Sequence, residues 1–294
     1  MRRPLSGRVR RGVTLVELCV VITLLALVGG TVVGTLRLQR RAAAQLAGTL
    51  RARAVLAHGA AALETELRDV APADLLVLLD SAVEALVPVG MAVLCAASPG
   101  GLLVPADAGD ATLAWWAATP RAGDVVRLLR PDSAGGAWSG AVVAGVDVVP
   151  HGAACTAVGD SSGLASRRIR LDALPVGATR GAVLWVGRRV RYDLYRGGDG
   201  AWQLGRRECA GPRPAPCETV QPVAGPLLAH DDDPSRTGLH VAAVDDAGTP
   251  LPSARVASAT ALRLVLRAPR DPSRRRPPAP AESLVLWLAR RNRP

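Results

Sequence analysis

The chain has 294 residues, 49% of them hydrophobic and 21% charged, with a formal net charge of +11. That length can bury a sizeable core, and the apolar content excludes wholesale disorder. There is no lysine and no phenylalanine, so all 36 cationic residues are arginines and the charge reflects compositional skew before it reflects a partner. Five arginines (Arg2, Arg3, Arg8, Arg10, Arg11) crowd the first twelve residues, and four more (Arg270, Arg274, Arg275, Arg276) crowd a stretch near the C-terminus. A nucleic-acid surface spreads its charge along one face and interleaves aromatics. Here Trp115, Trp116, Trp138, Trp185 and Trp287 sit in strand-like apolar contexts, so nucleic acid is not an expected partner.

Residues 1–12 are short, polar and basic, and residues 13–36 are apolar except for Glu17. As a helix, 24 residues reach about 36 Å, enough to cross a hydrocarbon core of about 30 Å. Five arginines precede this span and Arg37, Arg40 and Arg41 follow it, an asymmetry that keeps the N-terminus cytoplasmic and exports the rest. A cleaved secretory signal would be shorter and end in a small-residue exit. A plain signal anchor would have no reason to carry Glu17, because a carboxylate inside a membrane span is costly and usually retained for function.

Arg11-Gly12-Val13-Thr14-Leu15-Val16-Glu17-Leu18 resembles the processing site of type IV pilins and type II secretion pseudopilins. In that family a basic leader ends in glycine, cleavage follows, the new N-terminus is methylated, and glutamate occupies the fifth mature position. The resemblance therefore implies cleavage between Gly12 and Val13, N-methylation of Val13, and an assembly role for Glu17. That role is pairing with the freed α-amino group of a neighbouring subunit. Val13 departs from the more usual Phe or Met, and Gly29, Gly30 and Gly34 stand where such helices often carry a breaker. The implied partners are other pilin or pseudopilin subunits, the prepilin peptidase that also methylates, and an inner-membrane assembly platform. No cofactor is implied. The alternative is a single-pass membrane-anchored extracytoplasmic binding domain that is not assembled into a fibre.

Residues 37–71 read as an amphipathic continuation of the helix. Ala42, Leu46 and Leu50 recur at helical spacing, as do Leu56, Ala60, Leu63, Leu67 and Val70, until Pro72 stops the pattern. The stripe can pack on a head domain or on neighbouring subunits. Residues 74–86 read as a further short helix, and 89–95 as a strand before a Ser-Pro-Gly-Gly turn. Residues 124–130 and 137–144 read as a hairpin, with more strands at 167–171, 182–195, 201–206, 239–244, 259–266 and 283–289. The expected fold is thus α+β and pilin-like: a leader (1–12), a transmembrane half-helix (13–36), an amphipathic half (37–71) and a β-rich extracytoplasmic head (72–294). Val190-Arg-Tyr-Asp-Leu-Tyr-Arg196, residues 222–228 and Asp246-Ala-Gly248 resemble the layout of PilW-type minor pilins and J-type pseudopilins.

Cys19 lies in the apolar span. Cys95, Cys155, Cys209 and Cys217 fall in the exported part, where an even number favours disulfides, and Cys209–Cys217 with Cys95–Cys155 is the expected pairing. A zinc site lacks a Cys-x-x-Cys and a histidine pair. Asp231, Asp232 and Asp233 form the one dense acidic cluster, a weak calcium candidate read first as a solvated loop. No nucleophile, metalloprotease or phosphate-loop motif is present, so the chain reads as a substrate of enzymes and not as one.

Overall fold

The computed structural model describes residues 14–71, 74–106, 114–129, 138–149, 166–212, 214–271 and 281–289. Gly12, Val13 and Cys155 lie outside these residues, as does most of the 270–280 run. The chain divides into two compact units, Met1–Leu50 and Arg51–Pro294. One helix, α1 (Leu15–Leu67), opens the described chain and passes from the first unit into the second. An antiparallel β-rich region follows, so the layout is α+β.

In the first unit α1 is exposed, and it is predominantly apolar as far as Leu36. It runs without interruption through Gly29, Gly30 and Gly34, so these glycines are not breaks. The hydroxyls of Thr23, Thr31 and Thr35 donate back to carbonyls three or four residues earlier, which satisfies them without water.

The second unit carries fourteen strands among the described residues. The larger sheet contains β1 (Leu75–Leu79), β2 (Ala82–Val93), β3 (Ala96–Ser98), β4 (Gly101–Pro105), β5 (Ala114–Trp116), β6 (Val125–Leu129) and β7 (Trp138–Val149). It is completed by β8 (Ser166–Leu171), β9 (Val183–Arg196), β10 (Trp202–Cys209) and β11 (Gln221–Leu227). Its order is β1-β2-β9-β6-β7-β8-β4-β3, with β10 and β11 continuing from β9 and β5 pairing with β2. The smaller sheet is β12 (Leu239–Val244), β13 (Ala261–Pro269) and β14 (Ala281–Ala289).

The helix expected at 74–86 is instead the hairpin of β1 and β2. Leu79 faces Ala82 across the two-residue turn Asp80-Ser81, and β2 then pairs with β9 from Ala82↔Asp193 to Val93↔Val183. The leucines suit either period, and a long-range strand partner more than ninety residues away outweighs local helix preference. The hairpin expected around residues 124–144 is present as β6 and β7. β11 carries Pro222 and Pro226, which concealed it as a strand. It tolerates them because it pairs on one side only, with β10.

Two cores result. The first joins Ala52, Leu56, Ala60, Leu63 and Leu67 of α1 to Val83 and Ala85 of β2, Tyr192 of β9, Leu204 of β10, and Leu262, Leu264 and Leu266 of β13. Gly59 permits this packing, because a Cβ there would lie 3.2 Å from the Ala224 side chain and 3.3 Å from Leu266. The second core, built on Leu102, Val104, Leu128, Ile169 and Leu184, fills the other part of the large sheet. The amphipathic half predicted for 37–71 therefore packs only from Ala52 onward, since Leu46 and Leu50 are 61% and 57% exposed.

Candidate functional site

The first turn of α1 is organised by Thr14. Its Oγ1 accepts a hydrogen bond from the Glu17 backbone N–H at 3.3 Å, and its carbonyl accepts one from Leu18 at 3.1 Å. Thr-x-x-Glu is the spacing of a capping box, in which the threonine satisfies a donor that the helix cannot. Glu17 also stands where the helix dipole favours negative charge. The helix therefore begins at Leu15, directly after its Thr14 cap. From Leu15 to Leu36 the only charged side chain is Glu17, and large apolar residues on every side are exposed, among them Leu15, Ile22, Leu25, Leu27 and Leu36. This span contains a stretch long and apolar enough to cross a membrane.

In the second unit a chain of charges ties α1 to the larger sheet. Glu66 of α1 accepts from Arg206 Nε at 2.8 and 3.1 Å. Arg206 also donates to Glu208 at 2.7 Å. Glu208 lies 3.5 Å from Arg188 Nη1 and 2.5 Å from Arg121. Arg188 grips both oxygens of Asp124 at 2.8 and 3.0 Å and donates to the Thr119 carbonyl at 3.0 Å. Arg188 and Asp124 are almost entirely buried. The hydrogen bond to Asp124 outweighs the cost of burial and raises the Arg188 pKa. Beside this network, burial and then Glu66 push the Tyr192 phenol well above its ordinary range. Sequence reasoning missed these residues. The available signal was Arg188-Arg189 in the middle of the apolar strand 182–195, but arginine is so abundant here that a cation in a strand carries little information.

Glu208 titrates below the ordinary glutamate range. Burial would raise it, but the hydrogen bond from Arg206 and the charges of Arg188, Arg206 and Arg121 together prevail. A depressed folded-state pKa contributes stability above the unfolded value that is lost as pH falls through the folded one. Stability is thus expected to drop as pH falls through the ordinary glutamate range and below. In Glu208→Gln part of that acid dependence should vanish from denaturation curves taken across pH.

Cys209 and Cys217 form a disulfide closing an eight-residue separation. Cys95 is not a free thiol, whereas Cys19 is free. The Cys209–Cys217 loop lies over a buried pair, Arg189 and Glu84, and Arg189 donates to the Ala215 carbonyl within it. By the loop-entropy estimate this bridge contributes about 2.5 kcal/mol. Cys209→Ser/Cys217→Ser should lower unfolding free energy by about that amount, measured against the parent without reductant.

The acidic cluster is organised by its own backbone. Asp233 accepts from both the N–H and the hydroxyl of Ser235, and Asp231 accepts from Asp233 N–H at 3.0 Å. Among the described residues no three His, Cys, Asp or Glu side chains are grouped to hold a metal ion. On the large sheet, Trp115, Met91, Trp185 and Arg127 form one cross-strand row, with the Arg127 guanidinium 5.2 Å from the Trp185 ring centroid. Compared with known proteins, the chain matches no family model, no curated protein and no solved structure.

Proposed function

We propose that the chain is a minor pilin or pseudopilin, a structural subunit of a type IV pilus or a type II secretion pseudopilus. In this reading it enters the inner membrane with its N-terminus cytoplasmic and its β-rich region outside. It is cleaved after Gly12, methylated on Val13 and assembled through α1, with a place in an initiation or tip complex.

The observation that carries this reading is the conjunction at the N-terminus. A basic segment ends in Gly12, and two residues later Thr14 caps a helix whose first turn holds a lone carboxylate in an otherwise apolar span. Burying a leucine side chain is worth roughly 1.5–3 kcal/mol, so an exposed helix of this composition must be covered by lipid or by other helices. Membrane before assembly, and neighbouring subunits after it, supply both covers in turn. Removing the leader takes away five arginines and lowers the formal charge from +11 to +6 before the new α-amino group is counted.

Inside such a bundle Glu17 needs a cation, and the methylated α-amino group of an adjacent subunit is the one at its depth. Leaving one partner of a desolvated pair alone is strongly unfavourable. Glu17→Ala is therefore expected to insert into the membrane normally and to enter the fibre on the order of tenfold less efficiently, about 1.4 kcal/mol. Intact-mass analysis tests the processing step. The expected mature chain begins at methylated Val13, and a chain that keeps Met1 would instead indicate a simple membrane-anchored binding domain.

A further inference from the structure

The smaller sheet ends on β14, which pairs with β13 along Ala281–Ala289 without a bulge and has no strand on its other side among the described residues. Such an edge presents a row of backbone N–H and C=O groups, and proteins ordinarily blunt it with proline, a bulge or an inward charge. At its start β14 has one inward charge, Glu282, which is paired with Arg53 and Arg270; from Ser283 to Ala289 it carries none of these. At the opposite edge β12 is engaged, with Val241 N–H donating to the Asp80 carbonyl at 2.9 Å and Leu251 N–H to the Ala243 carbonyl at 2.7 Å.

The side chains of β14 alternate. Leu284, Leu286 and Leu288 face the first core, and the first two are only partly covered. Ser283, Val285, Trp287 and Ala289 face solvent, with Val285 45% and Trp287 53% exposed. Arg263, directly opposite Trp287 on β13, lies with its guanidinium 5.9 Å from the Trp287 ring centroid, so a cation stands beside Trp287 on the solvent face of β14. No carboxylate of the described residues forms an ion pair with it. Arg267 lies on the same face and is held below its ordinary pKa by burial and then by Arg263, with Asp233 acting the other way. Near the Ala289 end, the Asp245 carboxylate is taken up by its own turn, accepting from Ala247 and Thr249 N–H.

The geometry points to β14 as a strand-docking edge that receives an extended segment of a different protein chain, apolar at alternate positions and carrying a carboxylate that meets Arg263 beside Trp287. Backbone hydrogen bonds supply affinity in this mode, and alternate side chains supply specificity. The inward apolar residues of the segment would cover the outer flanks of Leu284 and Leu286. A second copy of this chain is a poor occupant, because its β14 has no carboxylate on the solvent face and would bring a second Arg263 towards the first. The inference does not depend on the fibre reading.

The test uses the full chain in lipid nanodiscs and the capped peptide Thr-Val-Thr-Val-Glu-Val-Thr-Val-Thr, followed by titration calorimetry. Two control peptides carry Lys in place of Glu, or N-methyl groups on alternate residues. The Glu peptide should bind at least about tenfold more tightly than the Lys peptide, about 1.4 kcal/mol, and the N-methylated peptide should not bind. Val285→Lys should weaken binding about tenfold. Arg263→Gln should erase the difference between the Glu and Lys peptides while leaving strand binding in place; both changes are at the surface, and circular dichroism checks their folding. The proposal is overturned if the Glu peptide does not bind, if the N-methylated peptide binds equally, or if Glu and Lys peptides bind alike. Self-association of the chain that Val285→Lys dissolves would also overturn it, in favour of a second copy.

Discussion

Arg188→Ala is expected to cost about 3–5 kcal/mol of folding stability, the range for removing one partner of a buried ion pair. The cost lies in what the substitution leaves behind. Asp124 is 2% exposed and receives two hydrogen bonds from the Arg188 guanidinium. Without them its charge stays in a low-dielectric site with the Arg121 backbone N–H still donating to it at 2.9 Å. Glu208 and the Thr119 carbonyl lose a donor at the same time. Asp124→Ala should be destabilising to a similar degree, because it strands the guanidinium instead. Replacing both by leucine should recover much of the loss, since a buried ion pair gains little over apolar packing once desolvation is counted. Chemical denaturation followed through the β-sheet signal gives all four values. If the double variant proves as unstable as the sum of the single ones, the pair is not acting as a unit.

Leu63→Ala should cost about 2–5 kcal/mol, whereas Leu46→Ala should change stability by no more than about 0.5 kcal/mol. Both leucines belong to one apolar pattern on one helix. Leu63 is fully buried in the first core beside residues of both sheets, and Leu46 is 61% exposed. The cost at Leu63 has two parts, the lost transfer of the side chain and the cavity left among neighbours that cannot fully collapse. At Leu46 no cavity forms. Under the proposed function the order reverses in a different assay: Leu46→Ala should affect packing between subunits, read as fibre yield, and Leu63→Ala should affect the fold. Equal destabilisation at the two positions would contradict the division of the helix at Ala52.

Much of the fold was legible from local pattern. The run of residues 13–36 announced a long apolar helix, and β12 lies at the residues where alternating apolar positions placed a strand. The turn between β3 and β4 sits on Ser98-Pro99-Gly100-Gly101, where Pro and Gly punctuate the chain. The Cys209–Cys217 bridge was legible because a short proline-rich loop holds its ends together. At residues 74–86 leucine supports both periods, and pairing of β2 with β9 selects the strand. The network from Glu66 to Asp124 was invisible for a related reason, since its members lie at sequence positions 66, 121, 124, 188, 206 and 208.

By itself, the sequence determined the apolar helix with its lone carboxylate, the α+β layout, and most strand positions. These depend on side-chain period and turn residues, both of which act within a few positions along the chain. Only the tertiary structure decided which part of the helix stripe is core, which charges are buried in pairs, and which strands are paired on one side only among the described residues. Those outcomes depend on which distant segments meet and exclude water from one another, and burial alone turns an ordinary arginine into an obligatory partner.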